Sequence, residues 1–441
     1  MARAMKDSGV AWIGEIPERW KIGKASLFFD IQLGKMLQPE TSSDEDTYEY
    51  YLCAANLGGN ELKMNPLRQM WFSANDKAQF AVKKGDLLVV EGGDVASCDI
   101  IREEVHDLYI QNALHRVRSK NGFSVEYLRY LLMIAKARGH IDLICNKATI
   151  AHFTKDKFGS LPFIVSSVAE QSRIAAFLDR QCGEINRVIE QTRASIEEYK
   201  KLKQAVITQA VTKGIRPDRP MKDSGVEWIG EIPYDWRIIK LKAIINTIES
   251  GVSVNAGQLP AENGAIGVLK TSCVSRFVFQ PFENKEVNSN EISRVSCPVK
   301  KNTIIMSRMN TPDLVGACGY VESDYPNLYL PDRLWQITFV AQTNVKYLWY
   351  YLNSRQVRNY YASLAVGTSN SMQNISQDQF YHTYSILPSI EEQDEIVIYL
   401  DNKISRIDQL IVEKEHLLTE LESYKKSLIY EYVTGKKEVP A

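Results

Sequence analysis

The residues of this chain that could do hydrolytic chemistry are few. Glu91, Asp94 and Asp99 lie close together in sequence, and carboxylates at such spacing can hold a divalent metal. They read more readily as solvated turn carboxylates, since the second half of the chain has Ser307 and Asn310 in the corresponding neighbourhood. No G-x-x-x-x-G-K-[ST] loop is present to cradle a nucleotide, and no G-x-G-x-x-G follows an apolar strand. The Asn/Asp-Pro-Pro-aromatic tetrapeptide with which amino-methyltransferases grip a target base is absent too. Gly92-Gly93 reads as a turn. The 6 histidines include no H-E-x-x-H, and the 7 cysteines are scattered without a C-x-x-C pair. An odd, dispersed set of thiols predicts reduced, buried cysteines in place of a disulfide frame or a zinc site.

What the chain does offer is a supply of planar amides and cations beside Gly, Thr and Ser. In the first half these are Lys35, Asn56, Arg68, Gln111, Asn112, His115, Arg116, Arg118, Lys147 and Thr149. In the second half they are Lys270, Thr271, Arg276, Arg308, Asn310, Thr311, Arg333 and Asn370. Arg, Lys, Asn and Gln read base edges bidentately, and Lys, Arg and Thr hold phosphates, so the set is a list of DNA-contact candidates. Each of these residues also has a surface or ion-pair reading. Arg116 in QNALHRVR and Arg333 in LPDRLW lie in segments that align at an offset near 220, and each is expected to read one half of a site or else to form a core ion pair.

The elements that must position these groups are written twice. MKDSGVAWIGEIPERW from Met5 returns as MKDSGVEWIGEIPYDW from Met221, with 13 of 16 positions identical. EQSRIAAFLDRQCGEINRVIE from Glu170 returns, more diverged, as EQDEIVIYLDNKISRIDQLIV from Glu392. In both closing segments apolar residues recur every three or four positions over roughly 40 residues, which predicts long helices with a narrow heptad-like seam. Ile174, Leu178, Ile185, Ile189, Ile196, Tyr199 and Leu202 mark the first seam; Leu400, Ile404, Ile407, Ile411, Leu418 and Leu428 mark the second. A helix that long and that polar needs a partner, and its own duplicate is the obvious one. Gly214 with Pro217 and Pro220 ends the first helix, and Gly435 ends the second.

Between box and helix, each half mixes short strands with helices. DLLVVE at 86–91 and TIIM at 303–306 read as strands, as do 109–117 and 329–339; 125–137 and 344–361 read as helices. The expected fold class is therefore α+β, with two similar α+β domains and two long helices that pair with each other. The expected boundaries are 1–169, 170–213, 214–391 and 392–436. The 441 residues suffice for several cores, and 44% hydrophobic with 24% charged content is globular usage. A net charge of −1 excludes a uniformly basic binder, although a local basic face remains compatible with it. No signal-peptide core and no stretch of ~18 apolar residues occurs, which predicts a soluble, cytoplasmic protein.

The chain resembles the specificity (S) subunit of type I restriction–modification systems. The duplicated box carries the resemblance, with GKMLQPE (34–40), YYLCAAN (50–56), EGGDV (91–95), QNALHRVR (111–118), SRMNTPDLVGA (307–317), LYLPDRLW (328–335), LPSIEEQ (387–393) and SYKKSLIYEYVTGK (423–436). The resemblance implies two target recognition domains, each reading one half of a split, asymmetric DNA site, held apart by two long antiparallel helices, a coiled-coil spacer that carries two methyltransferase (M) subunits. Restriction (R) subunits would join them. It implies no catalytic residue and no metal in this chain, because S-adenosylmethionine, ATP and Mg²⁺ chemistry belongs to those partners. Arg187 and Arg193, expected on the outer face of the first helix, are candidates for contacting M. Two other readings stand open at this point: a DNA-recognition scaffold for a methylation-only or other defence complex, and a self-sufficient duplicated nuclease built on Glu91, Asp94 and Asp99.

Overall fold

The computed structural model describes residues 3–145, 151–262, 264–369 and 372–440. The chain forms two compact units: Met1–Arg193 with His416–Ala441, and Ala194–Glu415. Each unit takes one box, one globular middle, the start of the helix that follows it and the end of the other long helix.

In the first unit a four-stranded antiparallel sheet runs in the order Cys98–Ile100, Leu87–Val90, Leu114–Ser119, Phe29–Leu33. Leu87–Val90 is apolar throughout because both its faces are buried. Leu87 and Val89 enter the main core, while Leu88 and Val90 enter a second core under a three-stranded sheet of Leu108–Ile110, Thr47–Leu52 and Arg68–Phe72. The second unit repeats the plan. Its sheet runs Ile245–Ser250, Leu334–Phe339, Ile304–Ser307, Cys318–Tyr320, with Ile304 and Met306 in one core and Ile305 in the other.

Two expectations need correction. The segments 109–117 and 329–339 are not single strands; each breaks, at 111–113 and 330–333, because the chain leaves one sheet and joins the other there. The helix expected over 344–361 is two helices, Val345–Leu352 and Arg355–Leu364. Asn353 interrupts them: its buried amide donates to the carbonyl of Cys318 at 3.0 Å, and Ser354 starts the next helix.

The long helices span Val168–Lys213 and Ile390–Val433. Their entrances are duplicated contact for contact. Trp20 Nε1 donates to Glu170 at 3.0 Å, and Trp236 Nε1 donates to Glu392 at 2.9 Å. Arg3 and Arg219 bind these same carboxylates and stack over the same indoles. The repeated box is therefore a clasp on the helix start, which explains why box and helix are duplicated together. The ends are also matched, since Gly214 and Gly435 both take left-handed φ values, +78° and +71°, that suit glycine past a helix C-terminus.

Within each unit the helical segments run antiparallel. In the first, Asn186 meets Lys425 and Arg193 meets Glu422; in the second, Tyr199 meets Lys414 and Lys203 meets Asp408. The seam departs from the apolar pattern at Leu202, which is 47% exposed, while Lys203 takes the inward step. A straight helix drifts by about 20° per heptad, so an apolar residue in the sequence pattern rotates off the seam. Among the described residues no helix is long and apolar enough to cross a membrane.

Candidate nucleic-acid interface

The strand ends at one edge of each four-stranded sheet bring together segments distant in sequence. In the first unit Gly34 N–H donates to Leu114 O at 3.0 Å, Lys35 N–H to Ile110 O at 2.9 Å, and Asn112 N–H to Lys35 O at 2.8 Å. Glu91 N–H donates to Ala113 O at 2.8 Å and its carbonyl accepts from Phe153 N–H at 2.7 Å. The second unit repeats the last two bonds with other residues: Arg308 N–H to Arg333 O at 3.2 Å, and Ile375 N–H to Arg308 O at 3.0 Å. Gly34 and Gly251 mark the closest approach in each copy, where a Cβ would collide with the carbonyl oxygens of Gln111 and Leu330 respectively. The result is a rim of loops on a rigid sheet, built twice on one backbone plan.

The rim gathers some sequence candidates and excludes others. Gln111, Asn112 and Lys35 lie on the first rim, with Gln111 Nε2 donating to Asn112 Oδ1 at 2.5 Å. Lys35 is ion-paired to Asp76; burial alone would raise that carboxyl, but Lys35 and Ser73 hold it below the ordinary carboxylate range. Arg308, Asn310, Thr311 and Arg333 lie on the second rim. Lys147, Thr149 and Asn370 fall outside the described residues.

Other candidates are spent on the fold. Asn56 is buried, accepts from Cys53 N–H and donates to the carbonyls of Lys63 and Pro66. His115 is fully buried with Nε2 at 2.7 Å from Phe153 O; burial pushes its imidazole below 6.5, against the pull of that carbonyl. Arg116 is 6% exposed and donates to the carbonyls of Gln79 at 2.9 Å and Ala81 at 2.6 Å. Arg118 forms a two-pronged pair with buried Asp86, at 2.6 and 2.8 Å. Sequence position alone suggested that these residues face a ligand, but alternate residues of an interior strand face the two cores.

Arg116 and Arg333 are not counterparts. The sheet register pairs Leu114 with Val90 and Leu334 with Ser307, so Arg116 corresponds to Gln336 and Arg333 to Ala113. Arg333 is exposed. Of the other candidates in the second unit, Lys270 reaches Glu283 at 3.4 Å, Thr271 opens a short turn of helix, and Arg276 is exposed. Hydrogen bonding from Ser272, followed by Lys270, holds the Glu283 carboxyl below its usual range. Arg68 is exposed opposite Tyr51. On the helices Arg187 and Arg193 are both exposed, as expected, and Arg193 also reaches Glu190 at 3.0 Å and Glu422 at 3.2 Å.

The carboxylates weighed for metal chemistry point to separate partners. Glu91 meets His152 at 3.0 Å, Asp94 binds Lys136 and Ser97, and Asp99 meets Arg129 at 3.2 Å and accepts from Leu62 N–H. Among the described residues no group of three His, Cys, Asp or Glu side chains is placed to hold a metal. Burial pushes the thiols of Cys98 and Cys318, on matching strands, up to about 12, so neither is a nucleophile at neutral pH. Sequence reasoning missed His152, Asn374 and the rim position of Glu91. The signal was available only in the offset of 217 that sets Glu91 against Arg308, and divergence of the middles hides it.

Two copies of one sheet rim, each clasped to a long helix, define a duplicated recognition protein. The model of the type I restriction modification DNA specificity domain matches residues 17–198 and again 233–422, and the chain belongs to that family as a DNA sequence recognition subunit. It is 23% identical over 440 residues to the type I restriction enzyme MjaVIII specificity subunit of Methanocaldococcus jannaschii, covering 96% of this chain and 94% of that one. Its fold is similar to a chain solved in work on complex assembly and conformational transition of the type I R-M system, with a TM-score of 0.69 at 13% identity and coverage of 96% and 99%. It is also similar to the HsdS subunit from Thermoanaerobacter tengcongensis, with a TM-score of 0.51 at 13% identity and coverage of 96% and 98%.

Proposed function

We propose that each unit reads one half of a bipartite, asymmetric DNA site through its sheet rim. The observation that carries this reading is the matched backbone of the two rims with unlike side chains upon it: Glu91 against Arg308, Gln111-Asn112 against 331–332, His152 against Asn374. Identical frames with different polar groups suit two base sequences read by one geometry. The recognition segments are proposed as 1–169 and 214–391, and the helical segments 170–213 and 392–436 as the surface that carries two methyltransferase subunits, with Arg187 in the contact. Restriction subunits would complete the assembly in the cytoplasm. The chain itself would be non-catalytic, with S-adenosylmethionine, ATP and Mg²⁺ used by its partners. Replacing 237–386 by the matching segment of a relative tests the reading. Sequencing of methylated adenines should then show one half-site changed and the other kept; a change in both halves would overturn independent reading.

A further inference from the structure

Among the described residues seven arginines are not exposed, and six of them have a carboxylate or carbonyl partner inside the protein. Arg3 and Arg219 bind glutamates, Arg118 and Arg129 bind aspartates, and Arg116 and Arg358 donate to pairs of backbone carbonyls. Arg116 and Arg129 also leave a buried Nε without a hydrogen bond but keep carbonyl or carboxylate partners; Arg308 has neither, its Nε being buried and, among the described residues, no acceptor meeting its guanidinium. A half-buried cation without an acceptor is costly, of a kind that proteins keep at positions where a ligand supplies the partner. The backbone at this residue is fixed on both sides, by Arg333 O and by Ile375 N–H, and the loop beyond it is tied back by Gly316 N–H to Ser307 O at 2.7 Å. Arg358 holds the same loop through the carbonyls of Asp313 and Val315, both at 2.6 Å. Beside Arg308 on the rim, Asn374 has a buried Oδ1 that no donor meets among the described residues, and Asn310 turns back on its own loop.

We propose that Arg308 is a specificity-determining residue of the second unit, donating its fork to the paired acceptors of a guanine edge, O6 and N7, in the half-site that this unit reads. The inference rests on the half-site reading above and assigns one base contact within it. A planar group held in place by burial, flanked by amides, matches a base edge; a phosphate is served as well by an exposed cation such as Arg333. The equivalent residue of the first unit, Glu91, is an acceptor paired with His152. A carboxylate there repels guanine acceptors and accepts from an exocyclic amino group, so one backbone position makes the two half-sites unlike.

The test uses the full chain in complex with its methyltransferase subunits, selecting bound duplexes from a randomised pool at several salt concentrations. Arg308→Ala should flatten preference for G at one position of one half-site by about five- to hundredfold and leave the other half-site intact. Arg308→Lys, which keeps the charge and loses the fork, should flatten the same position. Preference restored by Arg308→Lys, or uniform weakening of all sequences with a shallower salt slope, would make the partner a phosphate and overturn the assignment. Melting curves of both variants accompany the selection. If Arg308→Ala does not fold, Arg308→Lys decides alone: retained discrimination overturns the proposal and lost discrimination at one G supports it. A wild-type complex that selects no sequence would overturn the half-site reading itself, whereas a selected site indifferent to Arg308 would overturn only this contact.

Discussion

In the first unit the turn at 83–86 is held by charge. Asp86 accepts from Lys83 N–H at 2.9 Å and pairs with Arg118, while Arg116 reaches Ala81 O. In the second unit the corresponding turn at 300–303 is held by neutral groups. Gln336 accepts from Lys300 N–H at 2.9 Å and donates to Pro298 O at 3.1 Å, and Thr303 stands in the place of Asp86. Both turns put a left-handed residue at the same step, Gly85 at +87° and Asn302 at +58°. The backbone bonds are thus the shared requirement, and the side chains that supply them are exchangeable provided each buried polar group finds a partner. The same freedom that lets the interior swap Arg, Asp and His for Gln, Thr and Trp lets the rim swap Glu91 for Arg308. Inside the fold the swap is neutral in outcome; at the rim it changes what a ligand would meet.

The largest expected difference between the units lies in the clasp. Glu392 and Arg219 have side chains 6% and 12% exposed, against 17% and 27% for Glu170 and Arg3. Removing Glu392 leaves Arg219 with only the exposed Asp235 and strands the buried Trp236 Nε1, so Glu392→Ala should destabilise the second unit by about 3 kcal/mol. Glu170→Ala should cost the first unit less, about 1–2 kcal/mol, as water reaches Arg3. Denaturant unfolding of both variants, with hydrogen exchange to locate the loss, measures the gap; equal losses would break the comparison.

A second difference concerns acid. His115 is the counterpart of Trp335, and both are buried. Burial pushes the His115 imidazole below 6.5, so in acid the unfolded chain binds a proton that the folded one refuses. Its contribution is intact above the unfolded value and is lost as pH falls from there toward the folded value. Hydrogen exchange between about pH 7 and pH 5 should therefore show the first unit's sheet opening progressively, with the second unit less affected. His115→Gln should remove this acid sensitivity; an unchanged profile would assign it to other groups.

The smallest effect is expected where the paired helices exchange a neutral contact for a charged one. Lys425 donates to Asn186 at 2.6 Å in the first unit, and Lys203 pairs with Asp408 at 2.7 Å in the second. Burial pushes the Lys425 ammonium below its ordinary value, with nothing at Asn186 to restore it. Asn186→Asp should stabilise the first unit by about 0.5–1 kcal/mol at low salt, and Asp408→Asn should weaken the second by a similar amount. Thermal melts at two ionic strengths check both, since the gain should shrink as salt rises.

The sequence by itself determined the duplication, the two long helices and their ends, and the strands 87–90 and 304–307, because each is a local or near-exact pattern. Apolar periodicity, a glycine past a helix end and a run of residues buried on both faces are legible from neighbours in the chain. The family could be named from the same repeated frame. Which polar residues reach the rim was decided only by the tertiary structure. Arg116, Arg118 and His115 lie beside Gln111 and Asn112 in the chain, yet the strand carries the first three into the interior and leaves the last two on the rim. That outcome depends on which sheets pack on each face of the strand. Likewise Glu91 meets Arg308 in role, and Lys203 replaces Leu202 on the seam, through strand register and helical drift. The first is set by strand and loop partners tens of residues away and the second by a helix 205 residues away, and sequence neighbours carry no trace of either.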